Sequence, residues 1–283
     1  MDKPDSFGTL YIVATPLGNL EDITYRAVKI LEQVDLIAAE DTRHSKILLA
    51  HYGITTKLIS CHEHNEVKKA PQLIHHLKQH LSIALISDAG TPTISDPGYK
   101  LVTAVANEGI DIIPIPGCSA AIAGLSISGL PTDSFIFLGF LPRKSQKQLQ
   151  AIEDVKHRKA TLIFYESPRR IKALLQNTLN IFGDRKACLA REITKLHEEY
   201  IRGTLSEILQ KLEERETVKG ECSLFIHGEL GDQKLSDDEL KRILLDKISS
   251  TDLGTSGLAR QISKEFNLSK KIVYDLILKL KQS

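Results

Sequence analysis

Residues 83–98 read IALISDAGTPTISDPG, and the fold turns on how this stretch is read. Residues 83–86 form a short apolar run of the kind that fills a buried parallel strand. Ser87 and Asp88 stand where that strand would leave its sheet. Gly90, Pro92, Pro97 and Gly98 then fall within nine residues, a density that neither a helix nor a strand interior accepts. Residues 99–108 return to helical spacing, with Leu101, Val102, Val105 and Ala106 on one face. Strand, long loop and helix make the repeating unit of an open α/β sheet, where ligands bind in the crevice beyond the carboxyl ends of the strands. Most strand-to-helix loops run about 2–6 residues. This one is longer, which favours a ligand-lining loop over a plain connection.

The same alternation continues on both sides. Strands are predicted at 10–14, 36–39, 57–60 and 110–115, and helices from Asp22 or Thr24 to Val34, at 45–52 (closed by Gly53) and at 71–81. Together they predict a parallel sheet with helices on both faces, assigned to a first domain over 1–117. The second, 118–231, opens with a small-residue segment at 119–128. It continues with strands at 135–140, 161–165, 187–191, 200–202 and 223–227, and helices at 145–156, 168–182 and 205–214. Thr204-Leu205-Ser206-Glu207 reads as a capping box. The remainder, 232–283, reads as helices only: one starting at Ser236, then 257–266 and 269–281 across a turn at Asn267-Leu268. That spacing resembles a helix-turn-helix, and its last helix carries Lys270, Lys271, Lys279 and Lys281. A nucleic-acid contact and a packing module with a solvated basic face both fit it.

Bulk properties narrow the function classes. The chain has 283 residues, 42% hydrophobic and 26% charged, with net charge +1, which suits ordinary globular domains and advertises no polyanion partner through a global field. Any nucleic-acid surface is therefore local. Trp is absent and aromatics are 5%, against a stacking-platform binder of single strands. The four cysteines form no CxxC and suggest neither a zinc site nor a disulfide framework. No apolar run approaches a membrane span, and the start MDKPDSFGTL lacks a signal pattern. The expectation is a cytoplasmic protein with no membrane partner.

Chemistry is expected at the strand ends. The first loop, Ala14-Thr15-Pro16-Leu17-Gly18, is not GxGxxG, and no GxxxxGK[ST] occurs, which disfavours a dinucleotide or P-loop nucleotide. A phosphate-free, adenosine-like ligand fits better, held by Asp88, Ser119, Ala120 and the small residues beyond. Glu40-Asp41-Thr42-Arg43 admits two readings: Arg43 binding a phosphate while an acid orients a hydroxyl, or acids capping a helix. His62-Glu63-His64 lacks metal-ligand spacing but, on a loop, could grip RNA or act as acid or base. In Tyr165-Glu166-Ser167-Pro168-Arg169-Arg170 two cations stand at a helix start, where the helix dipole disfavours them; this points to an external anion such as phosphate. Arg191, Lys195, Arg143 and Lys144 extend the positive charge along other strand ends, giving a basic rim suited to a phosphate-rich substrate.

Six motifs in order, YIVATPLGNLEDIT, AAEDTRHS, ISDAGTPTISDPG, PIPGCSAAIAGLSISGLP, FLGFLPRK and FYESPRRI, resemble the ribosomal RNA branch of the tetrapyrrole (corrin/porphyrin) methylase superfamily. The resemblance runs over about residues 8–230. It implies two α/β domains with S-adenosylmethionine in the cleft between them, plus a small all-helical C-terminal domain. The implied reaction is 2′-O-methylation of a cytidine in the decoding region of 16S ribosomal RNA, within the assembled small subunit, by a homodimer. Carried across by motif, the cofactor residues are Pro16, Leu17, Asp88, Gly90, Thr91, Ser119, Ala120, Tyr165 and His227. The superfamily's glycine-rich first loop is replaced here by Ala14-Thr15-Pro16-Leu17-Gly18, which argues against a tetrapyrrole substrate more than against the cofactor.

Transfer of an activated methyl to a ribose hydroxyl needs positioning and a base. Glu166 and Glu63 are the base candidates, with Arg43, Arg170 and Lys195 holding phosphates or favouring the forming oxyanion, and no metal. RNA contacts are assigned to Arg43, Arg143, Lys144, Arg169, Arg170, Arg191, Lys270 and Lys271. Two other readings remain: a methylase of the same fold acting on a tetrapyrrole or a modified protein side chain, and a non-catalytic ligand sensor that binds DNA.

Overall fold

The structure, a computed structural model, describes residues 7–229, 237–250, 253–266 and 268–282. The chain forms two compact units, Met1–Glu229 and Leu230–Ser283. The first contains two five-stranded sheets.

The first sheet is built from β1 (Leu10–Val13), β2 (Leu36–Ala39), β3 (Leu58–Ser60), β4 (Ile83–Ile86) and β5 (Ile112–Ile115) in the order β3-β2-β4-β1-β5. Every pairing is parallel, as the alternating pattern predicts. Side chains alternate between the faces. Leu10, Ile83 and Leu85 pack with Leu73, Leu77, Leu101 and Val105 from α3 (Glu66–Lys78) and α4 (Tyr99–Asn107). Val13, Ala84 and Ile86 pack with Ala27, Leu31 and Leu49 from α1 (Tyr25–Gln33) and α2 (Thr42–His51). The connections after β1 and β2 move one way along the sheet, and those after β3 and β4 move the other. Right-handed crossovers then place α1 and α2 on one face and α3 and α4 on the opposite one. The direction reverses between neighbouring strands β1 and β4, so their following loops diverge and leave a crevice at their carboxyl ends.

Several helix starts differ from the sequence reading: one helix begins at Ile171, not 168, and another at Thr255, not 257. Helix α2 begins at Thr42, three residues early, because the Asp41 carboxylate caps it by accepting from the Arg43 amide. Helix α3 begins at Glu66, not Pro71, and Pro71 lies inside it. Proline is a first-turn residue by preference, but packing of Ala70, Leu73 and Leu77 on the sheet outweighs one missing backbone bond.

The second sheet holds β6 (Phe135–Phe140), β7 (Thr161–Glu166), β8 (Lys186–Arg191), β9 (Glu199–Thr204) and β10 (Cys222–Ile226) in the order β6-β7-β10-β8-β9. Only β6 and β7 are parallel; β10 runs antiparallel to both neighbours, and β8 to β9. One face packs α6 (Ser145–Glu153), α7 (Ile171–Phe182) and α8 (Leu205–Glu213) around Leu162, Phe164, Leu189 and Leu224. The other packs the small-residue segment, which is a helix, α5 (Ala120–Ser128), against Ile163, Cys188 and Phe225. Its small side chains permit close approach: a Cβ on Gly124 would lie 2.3 Å from the Phe225 ring. The capping box of Thr204 and Glu207 is formed at the start of α8.

The second unit contains α9 (Asp237–Ser250), α10 (Thr255–Glu265) and α11 (Lys270–Gln282), which bury Leu240, Leu244, Leu258, Ile262, Val273 and Ile277 in their own core. Ser236 and Asn267, the expected helix start and turn residue, lie outside the described residues, as does the side chain of Lys281. No helix among the described residues is long and apolar enough to cross a membrane.

Candidate active site

The crevice at the carboxyl ends of β1 and β4 is built from two loops tied together. Thr15 and Gly90 exchange both backbone hydrogen bonds, at 2.8 and 3.0 Å, and the Thr15 hydroxyl donates to the Ser87 carbonyl at 3.1 Å. Gly90 takes φ +81°, and a Cβ there would press on Leu17 at 3.3 Å, so a glycine is required. The Thr91 hydroxyl reaches the Cys118 carbonyl at 3.0 Å, joining the loop after β5. Thr93 and Ser95 are held at φ +74° and +63°, conformations that cost on the order of 1–3 kcal/mol each for residues with side chains.

These loops close one wall of a cavity of about 360 Å³, within the usual range for small-molecule sites. The opposite wall comes from the second sheet: Tyr165 and Glu166 at the end of β7, Phe140 at the end of β6, and Glu221 to Ser223 at the start of β10. Of the nine expected cofactor residues, Leu17, Asp88, Gly90, Thr91, Ser119, Ala120 and Tyr165 line this one cavity. Tyr165 accepts a hydrogen bond from the Ala121 amide at 2.8 Å, its ring is flanked edge-on by Phe137 and Phe140, and burial pushes its phenol up to about 12. Pro16 stands in an adjoining cavity with Lys195.

His227 is misplaced by the sequence reading. Strand β10 runs antiparallel, so Cys222 pairs with Glu166 at the cavity while Ile226 pairs with Leu162 at the opposite end of β7. At roughly 3.3 Å per residue, His227 lies about 16 Å along the sheet from the cavity end of the strand. Its ring contacts the Gly228 carbonyl there. The residues delivered by β10 are Glu221, Cys222 and Ser223, which a reading restricted to strand carboxyl ends misses.

The electrostatics are one-sided. Glu40, Asp88, Asp96, Glu166 and Glu221 all line the cavity, and no Lys or Arg does. The Asp88 carboxylate accepts from the Asp41 amide at 3.1 Å, while the Asp88 amide donates weakly to Glu40. Burial raises the Glu40 carboxyl above its ordinary value, helped by Asp88 and Asp41. Burial pushes Asp96 up to about 7; Glu40, Asp88 and Glu221 add to the rise, and a hydrogen bond with Ser87 opposes it. Asp96 was missing from the sequence candidates although it lies in the opening stretch, two residues before Gly98.

Several cations expected to meet an anion are already occupied. Arg170 donates from Nε and Nη2 to Glu166 Oε1 at 2.8 and 2.7 Å, and the Ser167 amide donates to the same oxygen at 2.6 Å. The Glu166 side chain is fully buried and three donors converge on one of its oxygens, so the geometry makes this pair a brace, not the base and the anion site that the sequence suggested. Arg191 donates to Glu199 at 2.9 Å and to the Lys219 carbonyl, which leaves its side chain only 16% exposed. Lys195 bridges Glu192 and Glu221, both at 3.1 Å, and packs against Gly18. Arg43 clasps its own Asp41 through Nε and Nη2 at 3.2 and 2.8 Å but remains 89% exposed, and Asp41 is driven down to about 2 chiefly by that contact. Arg143, Lys144 and Arg169 are exposed near the ends of β6 and β7. Lys270 and Lys271 are exposed on the first turn of α11. Glu63 lies off the main cavity, in a second basin with His62 and His64. Among the described residues no group of His, Cys, Asp and Glu is arranged to hold a metal ion.

Residues 9–209 match the family described as Tetrapyrrole (Corrin/Porphyrin) Methylases. The chain belongs to the tetrapyrrole methylase family. Among curated relatives, the ribosomal RNA small subunit methyltransferase I of Halalkalibacterium halodurans is 54% identical over 224 residues, 79% of this chain and 77% of that one. The protein of the same name from Streptococcus pyogenes serotype M3 is 46% identical over 276 residues, covering 96% and 95%. Solved structures share the fold at low identity. Diphthine synthase gives a TM-score of 0.62 at 15% identity over 78% of this chain and 90% of its own. Uroporphyrin-III C-methyltransferase from Thermus thermophilus, in complex with S-adenyl homocysteine, gives 0.55 at 18% over 78% and 98%.

Proposed function

We propose that this protein transfers a methyl group from S-adenosylmethionine to the 2′ oxygen of a cytidine in the decoding region of 16S ribosomal RNA, with the assembled small subunit as substrate. One observation carries the choice of donor: five carboxyl groups and no Lys or Arg line the cavity. Glu166 and Glu221 are paired with Arg170 and Lys195 outside it, but Glu40, Asp88 and Asp96 have no such ion pair among the described residues. Such a site repels phosphates and favours a positively charged group, and a sulfonium supplies both the charge and an activated methyl. The cavity's size and its apolar patch of Leu17, Ile94, Phe140 and Ala120 suit a nucleoside body. Asp88, Gly90, Thr91, Ser119 and Ala120 would hold the donor through carboxylate, hydroxyl and loop backbone.

The acceptor is assigned from the relatives, whose names specify small-subunit ribosomal RNA. Exposed Arg43, Arg143, Lys144 and Arg169, with Lys270 and Lys271 in the helical unit, would meet its phosphates. The rim is thinner than the sequence promised, since Arg170, Arg191 and Lys195 serve internal carboxylates. The reading includes a cytoplasmic location, where small subunits are assembled, and a homodimer, which sedimentation equilibrium would test.

Incubation of purified protein with methyl-labelled donor and small subunits from cells lacking this gene tests the whole reading. Digestion of the RNA to nucleosides should release the label as 2′-O-methylcytidine. Label on the base moiety, on protein or on a tetrapyrrole would overturn the acceptor assignment, and no binding of the donor by calorimetry would overturn the donor.

A further inference from the structure

A second cavity, of about 580 Å³, adjoins the main one on the side of the first loop and shares Leu17, Asp88, Ala89 and Glu221 with it. An occupant of one space therefore touches an occupant of the other. The two are lined differently. Pro16, Leu20 and Ile47 give the second cavity apolar walls, and His44, from the first turn of α2, gives it a polar edge. Lys195 lines it as well, and by pairing with Glu221 at 3.1 Å it offsets one of the shared acids. Arg43, next to His44 in the chain, is 89% exposed.

Lys195 brings the loop 192–198, between β8 and β9, to the rim of this cavity. The loop is braced along its length. Ile193 is buried in the core beside Phe225. The Asn19 amide donates to the Thr194 hydroxyl at 3.2 Å, and the Lys195 stem lies against Gly18, where a Cβ would come within 2.2 Å of it. Glu192 and Thr194 take φ +52° and +64°, backbone conformations rare for residues with side chains. The Glu198 amide returns to the Lys195 carbonyl at 3.1 Å. At the tip of this turn Leu196 is 93% exposed. Scattered apolar residues on a surface are ordinary. This one directly follows a residue that lines the cavity, on a turn whose hydrogen bonds hold it out from the core.

We infer that the second cavity receives the acceptor cytidine swung out of its RNA stack, and that Leu196 enters the gap it leaves. This rests on the methyl-transfer reading above and deepens it. Reacting atoms have to come within about 3–3.5 Å of each other, so the ribose 2′ oxygen has to reach the wall shared with the main cavity. The space takes one nucleotide, not a stacked strand, and the neighbours of that nucleotide stay outside. Bases splayed out of their stack are the form in which RNA is commonly recognised. A base that leaves its stack bares the faces of its two neighbours, and an inserted apolar side chain covers them. Arg43 stands where a phosphate beside the swung-out nucleotide would pass, and His44 faces the polar edge of its base.

Methylation kinetics on small subunits, donor calorimetry, urea unfolding and crosslinking test this together. Leu196→Ala should lower kcat/KM for the subunit about tenfold, the loss expected for one apolar side chain taken from a buried contact, with donor affinity and stability unchanged. Leu196→Met, which keeps the apolar reach, should stay within about twofold of wild type. Ile47→Trp, which fills the second cavity, should lower kcat/KM about a hundredfold at unchanged donor affinity. With p-benzoylphenylalanine in place of Leu196, irradiation should join the protein to the nucleotides on either side of the acceptor cytidine. A Leu196→Ala enzyme with wild-type kcat/KM, a Leu196→Met enzyme as impaired as Leu196→Ala, or crosslinks to other nucleotides only or to none, overturns the insertion. Full activity of Ile47→Trp overturns the placement of the nucleotide. Loss of donor affinity in Leu196→Ala or Ile47→Trp also overturns the inference, by making that residue part of the donor site. The methyl-transfer reading fails separately, on wild-type protein that places no label in 2′-O-methylcytidine, and the inference then falls with it.

Discussion

Glu166 shows how one side chain's surroundings decide its role. It faces the cavity at the end of a strand, where catalytic acids gather, yet its carboxylate takes three hydrogen-bond donors on one oxygen while the other oxygen is buried without a partner among the described residues. The Arg170 guanidinium is what makes that burial tolerable. Arg170→Ala should therefore cost about 3–5 kcal/mol of stability, because it strands a buried charge, whereas removing both charges together (Glu166→Gln with Arg170→Leu) should cost far less. Urea unfolding of the three proteins checks this; equal losses would mean that the pair is not an electrostatic unit. At this scale the sequence was partly legible. Asp88, Gly90 and Thr91 were visible because loops rich in glycine and proline cannot be anything but loops. Asp96 was not, because the property that singles it out is burial among other acids, which is set by residues 8 to about 125 positions away.

Elements were easier to find than to orient. Apolar periodicity exposed nearly every strand and helix, since it reflects the faces buried against cores of Leu, Ile and Val on both sides of each sheet. It carries no information about strand direction, and the antiparallel run of β10 put His227 at the wrong end and hid Glu221 to Ser223. Nor does it reveal which cations are spent internally. Glu199, opening β9, is clasped by Arg215 and Arg191, and the Arg215 contact leads in holding its carboxyl down to about 2. A depressed carboxyl contributes stability above its unfolded value, about 4.3, and loses it as pH falls through the folded value. The stability lost in Arg215→Ala should thus be constant from pH 7 to 5 and shrink steadily below that. Chemical denaturation at pH 7, 5, 4 and 3 measures it, and a difference that persists undiminished at pH 3 would exclude the Glu199 contact as its source.

Across the whole molecule, the helical unit from Leu230 onward has a core of its own, and all the cavity residues precede Glu229. A chain ending at Glu229 should unfold cooperatively and keep its donor affinity, while its KM for the small subunit rises through loss of Lys270 and Lys271. Calorimetry and steady-state kinetics test the two halves of that statement, and an unchanged KM would remove the helical unit from RNA contact. The change to helices alone was readable from the pattern, because no strand follows β10 among the described residues. The order of strands within the second sheet has a temporal meaning as well. Its central member, β10, is the last to be synthesised, and it sits between β7 and β8. While the nascent chain is shorter than that, β7 and β8 each show a bare edge open to wrong pairing. The pocket's floor is therefore laid last, and a chain stalled on the ribosome before Cys222 is an aggregation hazard with no ability to grip the methyl donor.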